Sequence, residues 1–117
     1  MDFRNYYYYV PVNFYETPEM VLIDHEPNGD SATVLVLALA KIHTRTVTKN
    51  DDGTFTIVTD DGTFTDTEVM EMLSFFGYRA NHVKYTRALD VIARFPPFDY
   101  LAYSDEERDA KTPEGYR

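Results

Sequence analysis

Apolar residues recur at helical spacing in two neighbouring stretches of residues 65–95 that are separated by a glycine. Thr65-Asp66-Thr67-Glu68 has the spacing of a capping box, with a hydroxyl followed three residues later by an acid. Apolar residues then follow three or four positions apart: Val69, Met70, Leu73 and Phe76. Gly77 interrupts this pattern, and Asn81 is a suitable cap for a second helix that runs to about Phe95. The pattern therefore predicts a helix-turn-helix.

Two further helices are predicted in the first third of the chain. Thr17-Pro18-Glu19 has the cap, the proline and the acid of a helix start. Asp30 or Ser31 is expected to cap the next helix, which runs over residues 32–43 and is apolar on nearly every side. Such a helix is normally buried. The expected core is therefore Val34, Leu35, Leu37, Leu39, Ile42, Met70, Leu73, Leu89 and Ile92.

β-structure is predicted between the two pairs of helices. Asp51-Asp52-Gly53-Thr54 recurs almost at once as Asp60-Asp61-Gly62-Thr63, and Asp-Gly between β-branched runs is a strong hairpin signal. We expect strands near residues 44–48, 54–58 and 63–65, and an aromatic edge strand within residues 3–15. The result is an α+β domain with about four helices and a small antiparallel hairpin sheet, of winged-helix or helix-turn-helix type.

The length of 117 residues fits one domain, which we place at residues 1–103, followed by an acidic flexible tail at residues 104–117. Ser104-Asp105-Glu106-Glu107 can begin a short helix, but a loose tail is the favoured expectation. The chain has no Cys and no apolar run of about 20 residues, so we expect no disulfide, no membrane span and a cytoplasmic protein.

Charge is distributed unevenly along the chain. The formal net charge is −9, yet residues 79–94 carry four basic side chains and a single acid. With Val83, Ala88, Leu89 and Ile92 turned inward, Lys84, Arg87 and Arg94 fall together on the outer face of the helix. A solvated basic face that pairs with the protein's own acids is one reading of this asymmetry. Contact with DNA or with a partner protein is the other.

The order of elements resembles the N-terminal domain of phage replisome organisers, which is a winged-helix-type module. The similarity is carried by these segments: Tyr7-Tyr8-Tyr9-Val10, Asn13-Phe14-Tyr15, Thr17-Pro18-Glu19-Met20, Asn28-Gly29-Asp30-Ser31-Ala32, Thr65-Asp66-Thr67-Glu68-Val69-Met70, and residues 83–95 in the place of the recognition helix. The resemblance covers most of residues 5–95. It implies binding to origin or operator DNA and loading of other replication proteins.

The leading expectation is a non-enzymatic module that binds duplex DNA in replication or regulation. Phosphates are expected to be contacted by Arg79, Lys84, Arg87 and Arg94, and base edges by Asn81, His82 and Thr86. The three histidines stand apart, and no phosphate-binding loop or nucleophile motif is present, so we expect no enzyme activity, no cofactor and no metal.

The alternative is an acidic inhibitor or adaptor, of the DNA-mimic or anti-CRISPR type, that occupies a basic nucleic-acid-processing protein. The turns would present closely spaced negative charge, with a second patch in the tail: Asp51, Asp52, Asp60, Asp61, Asp105, Glu106, Glu107 and Asp109. A homodimer is left open.

Overall fold

Five α-helices and three β-strands follow one another among residues 7–111, the part of the chain that the computed structural model describes. In chain order they are α1 (Pro18–His25), α2 (Gly29–Lys41), β1 (Thr44–Lys49), β2 (Phe55–Thr59), β3 (Gly62–Thr65), α3 (Asp66–Ser74), α4 (His82–Arg94) and α5 (Asp105–Lys111). The predicted α+β class is confirmed. The count of four helices is wrong, because a fifth forms after Ser104.

The sheet has the order β1-β2-β3 with both pairs antiparallel. All three strands lie within about a residue of the predicted positions. The Asp-Gly turn residues act locally, since the Asp52 carboxylate accepts hydrogen bonds from the amide and the hydroxyl of Thr54 at 3.0 and 2.6 Å. The sheet precedes the helix pair in the chain, and α4 is followed by a single 3-10 turn at Phe98–Tyr100. A winged-helix type remains a prediction for this arrangement.

The core is built where α2 packs against α4 and α1, over the inner face of the sheet. Most of the expected core is buried: Leu35, Leu39, Ile42, Leu73, Leu89 and Ile92. Leu37 and Met70 are half-buried. Val34 is 63% exposed, so its assignment to the core is wrong. The α2 helix is therefore not covered all round, since Val34 faces solvent while Leu35, Val36 and Leu39 are buried.

The start of α2 is set by a close approach rather than by a polar cap. The helix begins at Gly29, and Asn28 at its N-cap makes no side-chain capping bond, so capping by Asp30 or Ser31 is wrong. A β-carbon at Gly29 would lie 2.4 Å from the carbonyl oxygen of Ile23 and 2.8 Å from that of Asp24. Only glycine lets the end of α1 and the start of α2 pack this closely.

The aromatic N-terminal stretch does not form the expected strand within the described residues. Tyr9 makes one antiparallel bridge to Ala102, with N–H to O distances of 2.8 and 3.2 Å. A 3-10 turn at Phe14–Glu16 follows Pro11. Residues 1–6, which hold the beginning of the predicted strand, lie outside the described residues.

The segment predicted as an acidic tail contains regular structure. The Ser104 hydroxyl accepts from the amide of Glu107 at 3.0 Å, and the Glu107 carboxylate accepts from the amide of Tyr103 at 2.9 Å, which starts α5 in the manner of a capping box. Arg45 on β1 then donates to Glu107 at 2.7 Å. Residues 105–111 are therefore helical and joined to β1, in a segment where a short helix was the less favoured expectation. The division at residue 104 and the flexibility of the tail remain predictions.

Candidate nucleic-acid interface on helix α4

Helix α4 is fixed by hydrogen bonds that join it to α3 and to the sheet. The buried Tyr85 hydroxyl donates to the backbone carbonyl of Asp66 at 2.7 Å, while the Asp66 carboxylate accepts from the amide of Phe55 at 3.1 Å. Burial, followed by the nearby Asp66 charge, raises the pKa of the Tyr85 hydroxyl well above its ordinary value. Asp66 therefore connects β2, α3 and α4 through these two hydrogen bonds.

The N-termini of α3 and α4 show the predicted capping hydrogen bonds. Thr65 and Glu68 form a complete capping box at the start of α3, and the Asn81 side chain accepts from the amide of Lys84 at 2.8 Å. Between the two helices Gly77 adopts a φ of +86°, a conformation that side chains rarely accept. The first turn of α4 is thereby brought to the surface.

Most of the predicted DNA-contacting residues lie on this surface. Exposed side chains are those of Arg79, Asn81, His82, Lys84, Arg87 and Arg94. Two predicted base-reading groups are engaged within the helix itself. The Asn81 oxygen caps α4, and the half-buried Thr86 hydroxyl donates back to the His82 carbonyl at 3.0 Å. Val83 is 55% exposed, so its inward assignment is wrong, and Tyr85 is buried instead.

The cations of α4 divide into two groups. Arg94, in the last turn, pairs with Glu26 and lies 3.4 Å from Asp90, which also accepts from Lys49 at 2.9 Å. For Arg94 the interpretation of a basic face paired with the protein's own acids is therefore correct.

The cations at the start of α4 behave differently. Lys84 and Arg87 make no ion pair with any residue between 7 and 111. Arg79, in the preceding turn, donates to the backbone carbonyls of Ser74 and Tyr78 at 2.9 and 3.2 Å. Available positive charge is thus concentrated at the N-terminal half of α4, where the helix dipole is also positive.

The fold adds two lysines to this surface that sequence reasoning missed. Lys41, at the end of α2, lines a groove of about 600 Å³ together with Arg79 and Lys84. Lys49, on β1, lines a shallower groove of about 380 Å³ together with Arg87 and Arg94, between α4 and the β1–β2 turn. No local motif marks either lysine, because each reaches α4 from more than 30 residues away.

The acidic residues of the alternative proposal do not form the closely spaced set that we expected. Successive antiparallel turns lie at opposite ends of their shared strand, so β2 separates Asp51 and Asp52 from Asp60 and Asp61. The five residues of β2 alone span about 17 Å. The interpretation of the four turn aspartates as one patch is wrong.

Several of these acids are also paired with nearby cations. Arg45 donates to both oxygens of Asp60, at 2.6 and 3.0 Å, as well as to Glu107. Arg108 lies 3.6 Å from Asp105 and 3.1 Å from Asp109. Glu106 is exposed. Pairing of this kind reduces the negative potential that a mimic of DNA needs.

The remaining polar clusters have structural explanations. The His43 ring stacks on the Tyr103 ring at 4.5 Å, and the buried Tyr103 hydroxyl donates to the Thr44 carbonyl at 2.7 Å. His25 Nδ1 lies 2.8 Å from the Val21 carbonyl, one turn back in its own helix. Among residues 7–111 no three His, Asp or Glu side chains are grouped so that they could hold a metal ion.

Comparison with protein families, with curated proteins and with solved structures finds no match for this chain. Among residues 7–111, no helix has the length and apolar character needed to cross a membrane.

Proposed function

We propose that this protein is a non-enzymatic nucleic-acid-binding module that contacts duplex DNA through the N-terminal half of α4. The proposal rests on the exposure of Lys84 and Arg87 and on their lack of ion-pair partners among residues 7–111. These two neighbouring cations are exposed and make no ion pair among residues 7–111, although the chain has 20 acidic residues available to neutralise them.

The surroundings of these two cations favour a phosphate backbone. Arg79 precedes them in the turn, whereas Lys49 on the adjacent sheet already pairs with Asp90 at 2.9 Å. The positive end of the α4 helix dipole favours an anion at the same end. We expect the exposed His82 to approach a base edge. Arg94 should have a smaller part, because Glu26 and Asp90 already neutralise it.

The experiment is DNA binding at two salt concentrations with the intact protein. Duplex DNA should be retained at about 50 mM salt and largely released at about 200 mM, because phosphate contacts act through counterion release. Lys84→Ala/Arg87→Ala should weaken binding roughly 10-fold or more and reduce the slope of log K against log salt by about 2. Arg94→Ala should change binding much less.

Arg108→Ala/Lys111→Ala on α5 is the matched control. Like the α4 double variant, it removes one arginine and one lysine. Because these two residues lie on α5 and not on α4, DNA binding should stay nearly unchanged. Absence of DNA binding at about 50 mM salt, where phosphate contacts are strong, contradicts the proposal. So does equal weakening by the α4 and the α5 double variants, because that result reports net charge alone.

A further inference from the structure

A groove with an apolar wall and cationic edges runs between α2 and the α3–α4 turn. One wall is the outer side of α2, where Val34 is 63% exposed and Leu37 is half-buried. The opposite wall comes from the turn, with Phe76, Tyr78 and Ala80. This volume of about 600 Å³ is the α2 groove.

The charged side chains that line the α2 groove are mostly basic, although the whole chain is acidic. Lys41, Arg79 and Lys84 line it, with Asp30 as the acid among its lining residues, on a protein of net charge −9. Lys41 and Lys84 make no ion pair with any residue between 7 and 111. An occupant that complements this groove is therefore both apolar and negatively charged.

We propose that the α2 groove binds an acidic amphipathic peptide segment of a partner protein, whose apolar side chains cover Val34 and Leu37 while its carboxylates meet Lys41, Arg79 and Lys84. This goes beyond the proposed DNA contact and does not depend on it. An amphipathic helix that lays its apolar face into a groove is a common mode of peptide recognition.

The dimensions and the spread of charge favour a peptide over a single small carboxylate. Asp30 and Lys41 bound the α2 side, and their separation of eleven positions corresponds to about 16 Å of helix. The cations stand on both walls, Lys41 on α2 and Arg79 and Lys84 opposite. One carboxylate cannot pair with all of them, whereas acidic side chains on successive turns of a partner helix can.

The test uses the whole protein and a fluorescein-labelled peptide of about 14 residues, with leucines at helical spacing and glutamates beside them. Val34→Glu should lower the affinity about 10-fold or more, because it places a like charge on the apolar wall. Lys41→Ala/Lys84→Ala should lower it similarly and reduce its salt dependence. The same peptide with lysines in place of the glutamates should bind at least about 10-fold more weakly.

Val21→Glu is the matched control, since Val21 is an exposed helical valine on α1 that does not line the α2 groove. It should leave peptide binding unchanged, and both variants should keep the urea midpoint of the wild type. The inference is overturned if the lysine peptide binds equally well, if Val34→Glu has no effect, or if dodecanoate binds where the peptide does not. The inference is also overturned if the wild-type protein self-associates and Val34→Glu abolishes that self-association.

The two proposals fail separately. Val34 lies outside the DNA-contacting set, so Val34→Glu should keep the salt-dependent DNA binding proposed above. Loss of peptide binding with DNA binding intact supports peptide binding on the apolar wall of the α2 groove, although Arg79 and Lys84 belong to both surfaces. Peptide binding by a protein that does not bind DNA leaves the groove inference standing and refutes only the DNA proposal.

Discussion

Replacing Asp66 by alanine is expected to loosen the attachment of α3 and α4 to the sheet. Asp66 begins α3 and is buried, and its carboxylate accepts from the Phe55 amide at the point where β2 extends past the end of β3. Phe55 is itself 3% exposed, so water cannot easily replace the lost acceptor. The hydrogen bond from Tyr85 is made to the backbone of Asp66 and remains in the variant.

The size of the effect follows from two contributions. Leaving the buried Phe55 amide without a charged acceptor costs about 1.5–3 kcal/mol. Removing an acid from the first turn of α3 costs about 0.3–1 kcal/mol more through the helix dipole. We therefore expect Asp66→Ala to lower the free energy of unfolding by about 2–4 kcal/mol, a large part of the 5–15 kcal/mol typical of a domain. Asp66→Asn keeps an oxygen acceptor and should cost only about 1 kcal/mol.

Equilibrium urea unfolding measures this, followed by circular dichroism and by the fluorescence of the ten tyrosines, since the chain has no Trp. Asp51→Ala, at an exposed turn, is the control and should change stability by less than about 0.5 kcal/mol. Two results would contradict this reasoning: a change of less than about 0.5 kcal/mol for Asp66→Ala, or an equal loss of stability for Asp66→Asn and Asp66→Ala. In either case the hydrogen bond to Phe55 does not stabilise the attachment of α3 and α4 to the sheet.

Two further predictions concern packing and pH. Gly29→Ala should destabilise the fold by about 1–3 kcal/mol, because its β-carbon would overlap the Ile23 carbonyl, and urea unfolding beside the exposed control Asp51→Ala would show it. Burial raises the pKa of the Tyr85 and Tyr103 hydroxyls, so the folded state favours their neutral forms. The stability that they contribute is complete below about pH 10, the ordinary tyrosine pKa, and falls above it by roughly 1.4 kcal/mol per pH unit for each group. Tyrosinate absorbance should show these two groups ionising only as the protein unfolds, and ionisation of every tyrosine near pH 10 in the folded protein would contradict this.

Features that depend on a few neighbouring residues were predictable from the sequence. The capping box of Thr65 and Glu68, the Asn81 cap and the Asp-Gly turns are each completed within four residues. Their energies come from local hydrogen bonds and backbone conformation, so the same residues give the same geometry wherever the segment lies. The helix pair and the three strands were therefore placed nearly correctly.

The partner of each exposed charge could not be predicted in this way. Arg94 meets Glu26 across 68 positions of the chain, and Arg45 joins Asp60 to Glu107 on α5. Such pairs depend on how whole elements pack, which periodicity does not specify. The sequence therefore identified the cations of the candidate site. It did not show that Arg94 is paired with acids whereas Lys84 is not.

The amino-acid sequence by itself determined that α2 is an apolar helix, while the tertiary structure decided which side of it is covered. Leu35 and Leu39 are fully buried, whereas Val34 on the same helix is exposed and lines the α2 groove. Burial is a property of the elements that surround a residue, and a helix that is apolar all round carries no pattern to indicate which side stays open. The local pattern determines the helices, strands and turns, and long-range packing determines which of their faces remain available to a partner.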